Sequence, residues 1–556
     1  MVLAVLLFWS AWQDPANRLI GGQGDTSYMT WFIRWYPFAI THGHNPFLST
    51  WLGYPDGINV LWSTGVPLVG WVLTPVTTLL SPIVSYNVML TAGVALTAWC
   101  GYLAFRRWVR HDLAAAAGGL LLGFSPYMVI QSAGHPSLIV AFSVPLFLLL
   151  LDEILVRQRW TVQRGGILLG LLGAAQLLIG EEVLSTEVLT IGVGIALLCV
   201  LHRSEIRPRL PYVARTFAIA GSLALVISAV PLYFQFFGPH YIRGVIQPRN
   251  VYVSDLYNFV LPTGLQYFTP SWVGPIISRF TGNGSEWNAY LGLPLIVLCV
   301  FTAVRHRNNP TVAFVALLGL AMAVLSLGPS LHVDGTITKI HLPYLVVDRL
   351  PLFGNIIPSR LTLYVFLAAG LLLAVFIDDV VSNPRLVPVL VSVALVGLVG
   401  ASLFPRLPYL SYQTDTPAFF RGADVNRFQL GEVVLVAPFA QYPEADAAQR
   451  WQAEAGMRYR MPEGYFFTAD DQHRPQLGGR PYALATKLLS IELPQAIPNG
   501  VPATSSEYLA DIRNHDIGAV VVGPSPHSSE AVAFLTQLLG RPPEHLDGVD
   551  VWWSVR

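Results

Sequence analysis

Lysine is almost missing from this chain of 556 residues: Lys339 and Lys487 are the only two, and the remaining basic charge is carried by arginine and histidine. That removes lysine Schiff-base chemistry from most of the chain. Charge of either sign is scarce, at 12% of residues, where a soluble domain carries about 25%. The net charge is zero, so no basic field marks a nucleic-acid partner. Cysteine is limited to Cys100, Cys199 and Cys299, all inside apolar runs. None has the spacing of a metal knuckle or a redox pair; they read as small packed hydrophobes and leave the redox compartment open. The chain also lacks a P-loop, a GxGxxG after a strand, an HExxH, heptads and low-complexity tracts.

Apolar sequence fills the space. Hydrophobic residues make up 53% of the chain, with a mean hydropathy of +0.52, and runs of about 20 apolar residues recur as in transmembrane helices. The fold class is a polytopic α-helical membrane protein. Eleven spans are expected, near residues 1–13, 84–105, 113–131, 137–156, 165–180, 183–202, 215–237, 289–304, 311–327, 361–378 and 386–404. The opening "MVLAVLLFWSAWQ" has no basic start and no small-x-small cleavage site. It reads as the first helix, its cytoplasmic start expected upstream of this chain.

The links between spans alternate in character. Arg106, Arg107, Arg110 and His111 form one basic link. Others hold Arg157, Arg159 and Arg164; Arg203, Arg207, Arg209 and Arg215; Arg305 and Arg307; and Arg385. The positive-inside rule puts these in the cytoplasm. The outer side then receives 14–63, the loop around His135, Glu181 and Glu182, 238–288 and 328–360. For this to hold, the proline-broken stretch 64–82 is expected not to cross, but to re-enter or lie at the interface under a cover of protein.

The chain is expected to divide into a membrane domain, 1–404, and a C-terminal extracytoplasmic domain, 405–556. The tail has no span-length run. It alternates strand-like "EVVLVAP" and "GAVVVGP" with helix-like "DAAQRWQAEAG" and "SEAVAFLTQLLG", the pattern of a small α/β domain.

Candidate site residues gather on the outer side. Glycines 21, 22 and 24 precede Asp25, so backbone there can approach a partner closely. Tyr28, Phe32, Trp35 and Tyr36 follow at spacings of three and four, one face of a helix. An amphipathic helix along the outer membrane surface is expected, with Asp25 at its start as an N-cap, a catalytic carboxylate or both. Arg243 and Arg249 follow a span, and Arg360 precedes one. Each suits a phosphate through the planar guanidinium fork, or anchors its helix at the headgroups. Glu181 and Glu182 end a span, with Glu187 one turn into the next. "GEEV" suits acceptor hydroxyls, a metal ion, an arginine partner or a structural ion pair. His135 reads as a substrate ligand or a polar loop residue, Asp255 as a site acid, and Asp56 in "YPDG" as a turn residue. His332, Asp334, Lys339 and His341 share a loop without zinc-ligand spacing. Asp152, Glu153 and Arg157 fit an inner helix end with an i,i+4 pair, and Asp378 and Asp379 another.

The layout of a first span, the outer loop "GDTSYMTWFIRW" led by Asp25, a juxtamembrane helix, about ten more spans and an outer C-terminal domain resembles the GT-C glycosyltransferases. "PLFGNIIPSRLTLYVFLAAG" at 351–370 resembles a segment found in bacterial membrane proteins of this type. The resemblance implies a polyprenyl-phosphate sugar donor, a cell-envelope acceptor and Asp25 as the acid that activates it. Many members carry an acidic pair in this loop, where Thr26 follows Asp25 here. The implied place is the bacterial plasma membrane, and a divalent metal ion stays open as a cofactor. Two other readings remain: a transporter or flippase of a lipid-linked saccharide, which should show internal repeats and midplane polar residues, and a non-catalytic envelope protein. In a transferase, Trp451, Tyr459, Tyr465 and Phe466 of the tail either stack on sugar or form core.

The side assignment is testable by single cysteines in a background lacking Cys100, Cys199 and Cys299. A membrane-impermeant thiol reagent is expected to label 60–63 in intact cells and to miss 107–112. Labelling of the arginine link from outside would overturn it.

Overall fold

The computed structural model of the chain describes residues 1–201, 207–350, 352–439, 447–495 and 503–556. Arg203 of the third basic link and the first residue of "DAAQRWQAEAG", Asp446, lie outside them. Among the described residues, six helices are long and apolar enough to cross a bilayer: Pro82–Phe105, Asp112–Gly134, Val162–Ile179, Glu181–Leu201, Arg207–Phe237 and Pro358–Ser382. This is a multi-pass membrane protein, with fewer span-length helices than the eleven expected. Gly292–Arg305, Pro310–Ser326 and Val389–Leu403 are apolar but shorter. Residues 1–13 form two short pieces, Val2–Leu7 and Trp9–Trp12. In 64–82, Pro67–Val72 and Thr74–Leu79 have six residues each, about 9 Å of rise apiece against a hydrocarbon core of about 30 Å.

The expected span 137–156 is also broken. A 3-10 turn, Pro136–Ile139, leads to the α-helix Ser143–Leu151 and then a π-turn, Asp152–Arg157. The π-turn changes the charge pairing read from sequence. Arg157 Nε lies 2.6 Å from Asp152 Oδ2, an i,i+5 pair, because a π-turn brings residues five apart together. Arg107 also binds both Asp152 and Glu153.

By compactness the chain forms two units, and these do not follow the compositional step at 404/405. One comprises Met1–Ser10, Met89–Ser228 and Val245–Leu410; the other comprises Ala11–Val88, Ala229–Gly244 and Ser411–Arg556.

In the first unit, Thr362–Ser382 is buried on all sides through most of its length, as expected of a bundle's central helix. Small residues let its neighbours close in, the usual device where packing rather than hydrophobicity drives association. A Cβ added to Gly118, on Asp112–Gly123, would stand 2.4 Å from the Gly370 carbonyl and 2.9 Å from Phe105 Cδ2.

In the second unit, a five-stranded sheet has the order Glu544–Leu546, Val549–Trp553, Ala519–Val522, Glu432–Ala437, Tyr459–Arg460. The two apolar runs of the tail form its central parallel pair, with Ala519 opposite Val434. Leu484, Leu488, Ile512 and Leu535, from three helices, pack with Leu435 and Val520 of the sheet in one core. A second core joins alternate sheet residues Val434, Val436 and Val521 to Trp31, Trp35 and Trp451. Strand residues alternate faces, so the two cores are the two sides of one sheet.

Trp31 and Trp35 belong to helix Asp25–Thr41, which corrects the expectation of an interfacial amphipathic helix. Thirteen of its residues are buried. Trp31, omitted from the aromatic stripe, donates to Gln452 Oε1 at 2.5 Å and stacks on Trp35 at 5.5 Å. Aromatics on more than one side of the helix require more than one covering surface, and Ala447–Glu454 and the sheet of the same unit supply it.

Gly118→Ala is expected to lower the unfolding free energy by about 1–3 kcal/mol, the usual range for overpacking against backbone. Gly173→Ala, whose Cβ would meet nothing within 4 Å, is expected to be neutral. Thermal unfolding of the purified variants in detergent checks the contrast.

Candidate functional site

Gly24 occupies the N-cap of helix Asp25–Thr41 with φ 98° and ψ −112°, a conformation open in practice only to glycine. Asp25 is therefore the first helical residue and not the cap. A carboxylate in the first turn is favoured by the helix dipole, and the geometry leaves it half-buried. Its Oδ1 accepts from the Tyr465 hydroxyl at 3.2 Å.

Tyr465 is fixed in turn. Its backbone N–H donates to Gln449 Oε1 at 2.9 Å, and its ring lies 4.9 Å from that of Tyr28. Beside it, Ser27 Oγ accepts from Arg450 at 2.9 Å. The tail thus supplies a hydroxyl to the loop acid. Trp451, Tyr459 and Phe466 are core, while Tyr465 packs at the core's edge. Glu463, two residues away, is pushed up to about 7 by burial, against the opposing Tyr482 hydroxyl.

Arg243 lies in the same unit as Asp25 and is exposed. Its Nη2 donates to the Tyr241 hydroxyl at 2.7 Å, and its guanidinium sits 5.2 Å from the centre of that ring. Tyr241 stacks on His473 at 3.9 Å, and the Arg243 N–H donates to the His473 carbonyl at 2.6 Å. The fork is pre-oriented by a neutral phenol.

The other candidates belong to the first unit, where Arg360 is the centre. It is 8% exposed. Nε and Nη2 reach Glu286 Oε1 at 3.0 and 2.6 Å, and Nη1 binds Glu182. Ser359 Oγ donates to Glu286 Oε2 at 2.7 Å. His135 Nδ1 stands 2.8 Å from Gln131 Oε1 and 3.5 Å from Glu286 Oε1. Sequence reasoning brought out Arg360, Glu182 and His135 but missed Glu286, which sits in "NGSEW" with no spacing signal. Only the need of a buried guanidinium for counter-charge points to it.

Burial drives the His135 imidazole down to about 4, helped by Arg360 and opposed by Glu286. Burial raises the Glu286 carboxyl, but Arg360, His135 and Ser359 outweigh it and hold it below its usual value. Glu181 opens helix Glu181–Leu201, where its charge again favours the dipole.

Arg249 is exposed and faces Asp348 at 3.5 Å. Asp255 is a backbone organiser: its carboxylate accepts from the N–H groups of Tyr257, Asp334 and Gly335 at 2.8–3.1 Å. Asp334 pairs with Arg279, and His332 is buried against Thr281. Among the described residues, no three of His, Cys, Asp or Glu are grouped to hold a metal ion.

A family model described as "Domain of unknown function (DUF6311)" matches residues 1–399. The chain belongs to this family. No curated protein matches it. Among solved structures, the arabinofuranosyltransferase AftD from Mycobacteria is similar over 100% of this chain at 14% identity, with a TM-score of 0.54; this chain spans 39% of that protein. The archaeal oligosaccharyltransferase AglB from Archaeoglobus fulgidus, in complex with an inhibitory peptide and a dolichol-phosphate, is similar over 94% of this chain and 68% of its own, at 12% identity and a TM-score of 0.51. The DUF6311 chain therefore shares the fold of GT-C membrane glycosyltransferases.

His135 gives a pH test. Between about 6.5 and 4 the unfolded chain binds a proton there that the folded chain does not, so stability falls on acidification through that window. The slope from this one group is at most about 1.4 kcal/mol per pH unit. Unfolding of His135→Asn, followed from pH 7 to 4, is expected to lose that part of the pH dependence.

Proposed function

We propose that this DUF6311 protein is a glycosyltransferase of the bacterial plasma membrane. It moves a sugar from a polyprenyl-phosphate donor to a cell-envelope glycan, lipid or protein acceptor on the outer face, where residues 405–556 also lie. The observation that carries this reading is the state of Asp25, on a fold shared with transferases: half-buried in the first turn behind the Gly24 cap, and met by a tyrosine hydroxyl of the tail.

In this reading Asp25 is the general base. It accepts the proton of the acceptor hydroxyl as that oxygen attacks the anomeric carbon. The bond from that carbon to the phosphate oxygen breaks on the opposite face, so configuration inverts. The polyprenyl phosphate leaves with the electron pair, and the proton stays on Asp25 until solvent takes it. The lipid phosphate needs cations to stabilise the leaving charge. Arg243, exposed and 5.2 Å from the centre of the Tyr241 ring, suits that work.

Arg360 serves differently. With two carboxylates on it, it has little positive charge to offer a phosphate, and it organises Glu182, Glu286 and the neutral His135. Asp255 shapes the outer loop through its backbone bonds.

Asp25→Asn keeps the shape and an acceptor oxygen for Tyr465 but removes the base. It is expected to lower turnover by about 100- to 10,000-fold, with donor binding retained. The measurement is release of polyprenyl phosphate from a panel of lipid-linked sugars. Unchanged turnover would take Asp25 out of its role.

A further inference from the structure

Within the first unit, a cavity of about 270 Å³ lies among Ser143–Leu151, Glu181–Leu201, Pro310–Ser326 and Thr362–Ser382. Its wall is mostly apolar, with Leu148, Leu151, Ile191, Ile195, Phe314 and Leu318 among its residues, and Asp152 and Arg209 also line it. Along Glu181–Leu201 it runs from Glu187 to Leu198, about 16 Å of helical rise. Glu187 is 2% exposed and forms no ion pair among the described residues. It is a group the proposed transfer does not use.

The hydrogen bonds around Glu187 define its protonation. Gln176 Nε2 donates to the Gly180 carbonyl at 3.1 Å, which fixes the amide and leaves Gln176 Oε1 as an acceptor. That oxygen lies 2.7 Å from Ser143 Oγ, and Ser143 Oγ lies 2.6 Å from Glu187 Oε1. Serine has one proton, and Gln176 Oε1 has none to give, so the serine proton goes to Gln176. The short contact to Glu187 then needs a proton from the acid: Glu187 O–H donates to Ser143. An unpaired carboxylate in apolar surroundings would be costly, which favours the same neutral form. The second oxygen, Oε2, is left as a carbonyl-like acceptor with no partner.

We propose that this cavity binds a long-chain aliphatic alcohol. The hydroxyl donates to Glu187 Oε2, and the hydrocarbon lies along Ile191 and Ile195 towards Leu198. A plain hydrocarbon leaves Oε2 unsatisfied. A phosphate placed at Glu187 brings charge beside a neutral acid. An alcohol satisfies both the wall and the oxygen. Straight-chain and isoprenoid alcohols share this chemistry.

The full-length protein in nanodiscs is photolabelled with a tetradecanol carrying a diazirine at mid-chain, and the adducts are mapped by mass spectrometry. Adducts are expected on the cavity-lining residues of Glu181–Leu201 and Pro310–Ser326. Tetradecanol or geranylgeraniol is expected to compete about fivefold better than tetradecyl methyl ether, the value of one net hydrogen bond, and better than tetradecyl phosphate. The alcohol that competes at lower concentration identifies the hydrocarbon type. Glu187→Gln, an isostere of the neutral acid, is expected to keep the preference for alcohol over ether, and Glu187→Leu to abolish it. Equal competition by alcohol and ether, adducts scattered over the outer surface of the bundle, or loss of the preference in Glu187→Gln would each overturn the proposal. If Glu187→Leu does not fold, the wild-type and Glu187→Gln arms still decide it.

Discussion

A buried guanidinium is the constraint around which the first unit is built. Arg360 is placed at the first turn of Pro358–Ser382 and is nearly excluded from water. Such a charge is tolerable only where counter-charge and hydrogen bonds replace its hydration. Glu286 supplies this from the loop before Gly292–Arg305 and Glu182 from the start of another candidate span. Removing either acid would leave the guanidinium short of a partner, while removing the arginine would leave two acids facing each other. The ion pair ties the start of Pro358–Ser382 to the start of Glu181–Leu201, while farther along the same central helix Gly370 packs on Gly118 of Asp112–Gly123.

The second unit solves a different problem with aromatic packing. Helix Asp25–Thr41 reaches one face of the sheet through Trp31 and Trp35, and Gln452 closes the indole N–H of Trp31. That burial orients the first turn, so the direction in which Asp25 points is set by packing several residues along the helix. The Tyr465 hydroxyl then meets it from the tail. In the proposed transfer, an acid in such a place is pre-positioned by rigid elements rather than by a loop, the condition under which a general base works best.

Much of this was legible in the residues. Apolar run length marked the membrane helices, and the alternation in the tail marked the central strand pair Glu432–Ala437 and Ala519–Val522. Proline marked 64–82 as broken. What was not legible depended on partners distant in sequence. The stripe Tyr28, Phe32, Trp35 and Tyr36 looked interfacial because Trp and Tyr suit both a membrane surface and a protein core, and periodicity cannot say which covers them. Glu286 had no local signal. The π-turn at Asp152–Arg157 shifted a charge pair by one residue, because spacing rules presume an α-helix.

The arginines show most directly why residue type alone does not assign a site. Arg243 and Arg360 both flank an apolar helix on the side expected to face outward, and in sequence each reads as a phosphate fork or a helix anchor. Local partners separate them. Arg360 faces two acids and spends its donors inside the protein. Arg243 is held by a neutral phenol and the face of its ring, contacts that orient a guanidinium without cancelling its charge. A cation that must meet an anionic lipid phosphate has to be ordered and still carry net charge. By that criterion, exposure and a neutral phenol partner leave the Arg243 guanidinium suited to the role in the proposed transfer, although Arg360 is the more deeply placed of the two.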